Sequence, residues 1–197
     1  MNKELFEKYI KIFIEQNHKV NLISKNDENY LWEKHICDSL SMGQFFNKYT
    51  IPQTLLDFGT GGGFPSVPLA IAYPNIRITA VDSIAKKIRC VEFFKREMQL
   101  NNLRAMCLRV ENLDEKFDVV TSRAVASLDK ICEYGLPKLN DNGYFIAYKS
   151  KKAVEEINNA QKVLKKYNAE IIDIIEYNLP LKENYERNLI VIRKMKR

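Results

Sequence analysis

The sequence predicts a doubly wound α/β fold, a mostly parallel sheet with helices on both faces. Three observations carry this. Short apolar runs recur between residues 54 and 192, without the polar alternation of a half-exposed sheet. Segments with helical apolar spacing separate most of them. The first of these runs leads straight into a glycine cluster, and doubly wound sheets bind ligands at such strand ends.

The elements follow in order. Residues 3–16 set Leu5, Phe6, Tyr9, Ile10, Phe13 and Ile14 at helical spacing. After a polar stretch, a second helical run covers 28–48, with Leu31, Trp32, Ile36, Leu40 and Phe45 as its apolar residues, until Pro52 breaks the pattern. Residues 1–50 are therefore expected to form a helical unit, and 51–197 the sheet domain. Thr54–Phe58 is the first strand and runs into Gly59-Thr60-Gly61-Gly62-Gly63, which holds four of the seven glycines. Pro65 opens a helix, since proline is well accommodated in a first turn. Arg77–Asp82 is the second strand, and 84–100 a helix with Ile88, Val91 and Phe94 on one side. Strands are expected at 105–110, 117–121 and 144–148, with a helix at 127–139 that ends at Asn140-Asp141-Asn142-Gly143. Residues 151–167, with Val154, Ile157 and Tyr167, read as the last helix. Strands at 171–175 and 189–192 have no helical stripe between them, which predicts an antiparallel end to the sheet.

Composition bounds the function. The 197 residues are 46% hydrophobic, with 31 basic against 25 acidic side chains and a net charge of +6. That excludes a disordered or collagen-like chain. The basic excess alone suits nucleic acid, an anionic membrane or a lysine-coated surface. Four scattered cysteines without a Cys-x-x-Cys, and only two histidines, predict no structural metal site. No stretch approaches the roughly 18 apolar residues of a membrane span. A cytoplasmic monomer without metal or membrane contact is expected.

The chemistry centres on Asp57-Phe58-Gly59-Thr60-Gly61-Gly62-Gly63. Glycines there permit positive φ and a close approach of ligand to backbone. Asp57 precedes the first glycine by two residues, where it could reach an amino group. Asp82 ends the next strand, where a carboxylate accepts ribose hydroxyls. A dinucleotide fingerprint wants a third glycine at Phe64 or Ser66, and a Walker loop wants Gly-Lys-Ser/Thr; both are missing. A carboxylate at the loop mouth also repels phosphate. S-adenosylmethionine, which has an ammonium, a sulfonium, a ribose and no phosphate, fits better.

The segment from Leu55 to Ala70 resembles the first motif of the glucose-inhibited division protein B family, the small-subunit ribosomal RNA guanine-N7 methyltransferases. The resemblance extends to Trp32-Glu33-Lys34-His35-Ile36-Cys37-Asp38-Ser39-Leu40, Asp82-Ser83 with Lys86-Lys87, Arg109-Val110-Glu111, Ser122-Arg123-Ala124, Tyr148-Lys149 and Arg187-Asn188-Leu189. Lys34 and Ser66 stand where the family often has Arg and Gly.

The resemblance implies a class I S-adenosylmethionine-dependent methyltransferase with an N-terminal helical extension. It implies methyl transfer to guanine N7 in the decoding-centre pseudoknot loop of 16S ribosomal RNA, as naked RNA or in a small-subunit particle. Cofactor-site residues would be Asp57, Gly59, Gly61, Gly63, Phe64, Asp82, Ser83, Val110, Glu111 and Arg123, and Arg123, Lys149 and His35 are the candidates for contact with the target base.

N7 has an in-plane lone pair and no proton to remove, so alignment is the main task. In agreement, Thr121-Ser122-Arg123-Ala124 is not the Asn/Asp-Pro-Pro-Tyr of exocyclic-amine enzymes, and no Pro-Cys pair supplies a thiolate. A bidentate Arg123 fork would cap N7 itself, leaving O6 alone, a phosphate or the cofactor as its partner. His35 and Lys149 each read equally as packing residues. The runs Lys86-Lys87-x-Arg89, Lys151-Lys152, Lys162 with Lys165-Lys166, and 193–197 are each ordinary solvated faces when taken singly. A methyltransferase for another RNA position or a small molecule, and a non-catalytic assembly factor, remain open alternatives.

Overall fold

A computed structural model of the chain describes residues 3–150, 153–183 and 185–196. Lys151, Lys152 and Arg197 of the basic runs, and the side chain of Val154, lie outside the described residues. Helix α1 (Lys3–Val20) and the short α2 (Lys25–Glu28) lead into a π-helical turn at Leu31–Cys37. That turn continues as α3 (Asp38–Leu40) and α4 (Met42–Lys48). The uniform helix expected over 28–48 is thus broken, and the widened turn carries Lys34 and His35. Such π-turns recur at functional sites.

The sheet follows: β1 (Thr54–Phe58), α5 (Ser66–Ala72), β2 (Arg77–Asp82), α6 (Ala85–Glu97), β3 (Leu103–Cys107), β4 (Phe117–Arg123), α7 (Leu128–Gly135), β5 (Leu139–Ser150), α8 (Ala153–Lys166), β6 (Ala169–Asn178) and β7 (Glu186–Lys194). The strand order is β3-β2-β1-β4-β5-β7-β6. The first five strands are parallel, and β7 joins β5 and β6 antiparallel.

Side chains alternate across a strand, so consecutive apolar residues feed opposite faces. Leu55, Val119 and Ile146 enter one core, with Phe6, Tyr9 and Phe13 of α1 and Phe94 of α6. Leu56, Val120 and Phe145 enter the other, with Ile131 of α7 and Ala160 of α8. The N-terminal helices therefore share a core with the sheet. Phe13 stacks on Phe94 at 5.5 Å and Tyr9 meets the same ring edge-on at 5.5 Å. Trp32 packs edge-on to Phe6 at 5.6 Å.

Several strand boundaries differ from expectation, most of them by extension. β3 begins at Leu103, because it pairs in register with β2 from Ile78↔Leu103 to Asp82↔Cys107. Val110, expected as the last residue of that strand, folds instead with Glu111 into a 3₁₀ turn beyond it. Asn140 to Gly143 lies inside β5, at a register irregularity against β4 rather than in a free turn.

Candidate active site

The glycine loop turns over the end of β1. Gly59, Gly61 and Gly63 have φ of 71, 56 and 94°. The amides of Gly59 and Thr60 donate to the Val81 carbonyl at 2.8 and 3.1 Å, which fixes the loop to β2. Asp82 secures the other side: its Oδ2 accepts from the Gly61 amide and its Oδ1 from the Ile84 amide, each at 2.9 Å. Each oxygen keeps a lone pair in hand. Asp82 thus holds the loop and the start of α6 while its carboxylate lines a cleft.

That cleft encloses about 490 Å³ and is lined by Gly59, Asp82, Ser83, Val110, Glu111 and Val125, among others. Five of the residues expected at the cofactor therefore come together here. Val110 supplies apolar surface to the cleft, and Asp82 a carboxylate whose oxygens can accept from a diol. A Cβ on Gly59 would stand 2.2 Å from Cγ2 of Val125, so bare backbone is required at that wall. These residues fit the ribose and adenine of S-adenosylmethionine.

Asp57, Gly61, Gly63, Phe64 and Arg123 do not line the cleft; they form the structure behind the loop. Asp57 is fully buried, with Oδ2 accepting the Ser66 amide at 3.3 Å. Its Oδ1 has no hydrogen-bond partner. Burial pushes this carboxyl up to about 7, against the opposing pull of the Thr60 and Ser66 hydrogen bonds and Arg123. A carboxyl raised in this way loses stability as pH rises from its unfolded value near 4 through 7, because ionisation is costlier in the folded state. Asp57→Asn is therefore expected to melt at or above the wild-type temperature at pH 8, an advantage that vanishes below pH 4. Thermal melts of the cofactor-free protein across that range check this; a lower melting temperature for the variant at pH 8 would contradict it.

Behind the loop stands a buried ionic hub. Arg123, the last residue of β4, has a side chain only 12% exposed. Its Nη1 donates to Asp38 Oδ2 at 2.8 Å and to the Lys34 carbonyl at 3.3 Å, and its Nη2 lies 2.9 Å from His35 Nδ1. The guanidinium also lies over the Phe64 ring, 5.2 Å from its centroid, and the His35 ring is 5.1 Å from the same ring. Burial, then the Arg123 charge, lowers the His35 pKa to about 4. At neutral pH the imidazole is uncharged, so Nδ1 accepts from Arg123 and the proton sits on Nε2. That Nε2 is buried and unpartnered.

Asp38 is the centre of the hub. Besides Arg123, its carboxylate accepts from Tyr177 Oη at 2.6 Å and from Arg187 Nε and Nη2 at 3.2 and 3.3 Å. Tyr177 and Arg187 were not singled out as site residues in the sequence; their only signal was that Arg187 heads a strand segment of the family pattern. Lys149 is placed elsewhere. Its Nζ donates to the Ala126 carbonyl and to Glu156 Oε2, both at 2.7 Å, and the same Glu156 oxygen accepts the Leu128 amide at 2.6 Å. Lys149 thus braces the segment 124–127 that borders the cleft. Among the described residues, no three His, Cys, Asp or Glu side chains gather as a metal site, and no helix is long and apolar enough to cross a membrane.

A cleft built this way, at the carboxyl ends of β1 and β2 in this strand order, defines a class I S-adenosylmethionine-dependent methyltransferase. Solved structures share the fold. The N-methyltransferase NodS from Bradyrhizobium japonicum WM9, in complex with S-adenosylhomocysteine, aligns with a TM-score of 0.65 at 10% identity, over 92% of this chain and 99% of that one. M. jannaschii TYW2 in complex with S-adenosylmethionine gives 0.61 at 17% identity, over 81% and 76%. Within that class, the chain belongs to the rRNA small subunit methyltransferase G (GidB) family, whose model matches residues 2–190. Proteins named ribosomal RNA small subunit methyltransferase G are similar nearly end to end. The one from Bacillus subtilis is 36% identical over 98% of this chain and 82% of its own length. That from Lachnoclostridium phytofermentans is 39% identical over 98% and 81%.

Proposed function

We propose that this chain transfers the methyl group of S-adenosylmethionine to N7 of a guanine in 16S ribosomal RNA, in the decoding-centre pseudoknot loop. The observation that carries this is the state of the groups around Arg123. The carboxylate beside it, Asp38, is saturated by two guanidiniums and a phenol, and the imidazole beside it spends its lone pair on Arg123. No free base is left there to remove a proton, and N7 needs none.

The cofactor, when bound, supplies a methyl already activated on a sulfonium. The chain's residues then have only to bind and orient. Asp82, Ser83, Val110 and Glu111 would hold the nucleoside end, and the glycine loop would let it approach the backbone. Arg123 has five N–H donors, of which Asp38, Lys34 and His35 take three. The Nε–H and one Nη2–H remain. In this reading they meet guanine O6 or a phosphate without covering N7, because the hub fixes the direction of the fork. His35 orients Arg123 through Nδ1, and Lys149 braces the segment after Arg123. In this reading the protein works in the cytoplasm, alongside its ribosomal RNA substrate.

The test is a map of N7-methylguanine in 16S ribosomal RNA from cells with and without the protein. One methylated guanine should disappear with the gene and return with it; an unchanged map overturns the reading.

A further inference from the structure

The cofactor cleft leaves one strongly basic surface unused. Along α6, Lys86, Arg89, Phe93 and Arg96 follow at intervals of three, four and three residues, so they share one face of the helix. From Lys86 to Arg96 the stripe runs about 15 Å at 1.5 Å per residue. The face borders a groove of about 610 Å³ against the last turn of α1, whose Lys19 adds a cation from the opposite wall. Lys19, Lys86 and Arg89 are exposed and form no ion pair among the described residues. Arg96 lies over the Phe93 ring at 5.4 Å, although it also contacts Glu97. The acid lining this groove, Glu92, is paired with Lys95.

The groove and the cofactor cleft meet at neighbouring residues of α6. Lys87, next to Lys86, lines the cofactor cleft, and its Nζ stands 3.9 Å from where a Cβ of Gly61 would be. A strand presenting a base at the cleft could therefore run on along α6.

We infer that the α1–α6 groove is a second RNA contact, a track for backbone phosphates outside the reaction site. This rests on the ribosomal RNA reading above. Unpaired cations spaced along a helix, beside a flat ring and guanidinium, complement a polyanionic strand. A lipid surface would call for protruding apolar side chains; here Ile88 and Cys90 are buried, Val20 and Phe93 are half-buried, and the side chains that protrude are Lys19, Lys86 and Arg89. Arg123 and the cleft take no part, so binding here and cofactor binding are separable.

The test uses two charge-matched double variants of the full chain. Lys86→Glu with Arg89→Glu reverses the track. Lys162→Glu with Lys165→Glu makes the same charge change on exposed positions of α8, across the sheet. The probe is whichever 16S ribosomal RNA or small-subunit particle the wild type methylates.

The track variant should bind it at least tenfold more weakly at physiological salt. Its salt slope should fall by about 1.4–1.8, for two phosphates at 0.7–0.9 each. S-adenosylmethionine affinity should be unchanged. The α8 variant should stay within twofold of wild type in RNA affinity. Equal losses in both variants would mean bulk charge alone and overturn the inference, as would no loss in either. Charge-dependent capture by phosphatidylglycerol vesicles, with RNA binding intact, would assign the groove to a membrane and overturn it too. If the wild type methylates no guanine N7, the functional reading fails first; if it methylates normally and the track variant matches it, only the groove assignment fails.

Discussion

Replacing Asp38 with alanine is expected to lower the melting temperature by about 6–20 °C. The carboxylate is 1% exposed and neutralises Arg123 and Arg187 together, while accepting the Tyr177 hydroxyl. Removing one partner of a buried ionic group costs about 3–5 kcal/mol, because the remaining charges stay buried without compensation. For a chain of this size each kcal/mol shifts melting by roughly 2–4 °C. Burial pushes the Asp38 carboxyl up, but the guanidiniums of Arg123 and Arg187 outweigh it and hold the group below the usual carboxylate range. A lowered carboxyl gives stability that is present above its unfolded value and lost as pH falls through its folded one. The gap between wild type and variant should therefore be full at pH 7.5 and shrink below about pH 4. Calorimetric melts at both pH values check this, and equal melting at pH 7.5 would refute it. Asp38→Asn keeps an acceptor and the shape, so it should lose less stability than alanine. In the proposed function it should still lower kcat, since Arg123 is held less firmly.

Much of the fold was legible because it rests on local pattern. The apolar strand runs, the loop after β1 and the antiparallel end all follow from residues close in sequence. The hub does not. Tyr177 and Arg187 reach Asp38 across 139 and 149 residues. Only the strand order, which brings β7 beside β5 and β6 beside β7, sets them at the end of β4 next to the N-terminal turn. The π-turn was hidden for another reason. Its apolar residues keep a nearly helical spacing, so the widening that presents His35 leaves no trace in periodicity. Lys149 shows the opposite limit. Its place at a strand end was readable, but its neutralisation by Glu156 depends on how α8 packs. At Asp57, likewise, sequence placed a carboxylate beside the loop without revealing that Ser66 and burial would turn it inward.

The glycine loop gives the second large effect. Gly59→Ala should weaken S-adenosylmethionine binding at least tenfold while lowering the melting temperature by only about 2–8 °C. A left-handed φ in alanine costs about 1–2 kcal/mol, which sets the thermal change through the same conversion. The binding loss has a different origin. The new Cβ would meet Val125 Cγ2 at 2.2 Å, and Val125 is 45% exposed on the segment that borders the cleft. That segment can move outward without disturbing the core, so the collision is relieved by deforming the binding wall. Gly61→Ala separates the two causes. Its φ is also positive, but its Cβ would meet Lys87 Nζ and the Gly59 carbonyl at 3.9 Å, an ordinary contact. Gly61→Ala should therefore show a similar thermal loss with a much smaller change in affinity. Calorimetric titration of both variants decides it: equal losses of affinity would mean that backbone strain alone controls the loop, and that the contact between Gly59 and Val125 does not shape the cofactor site.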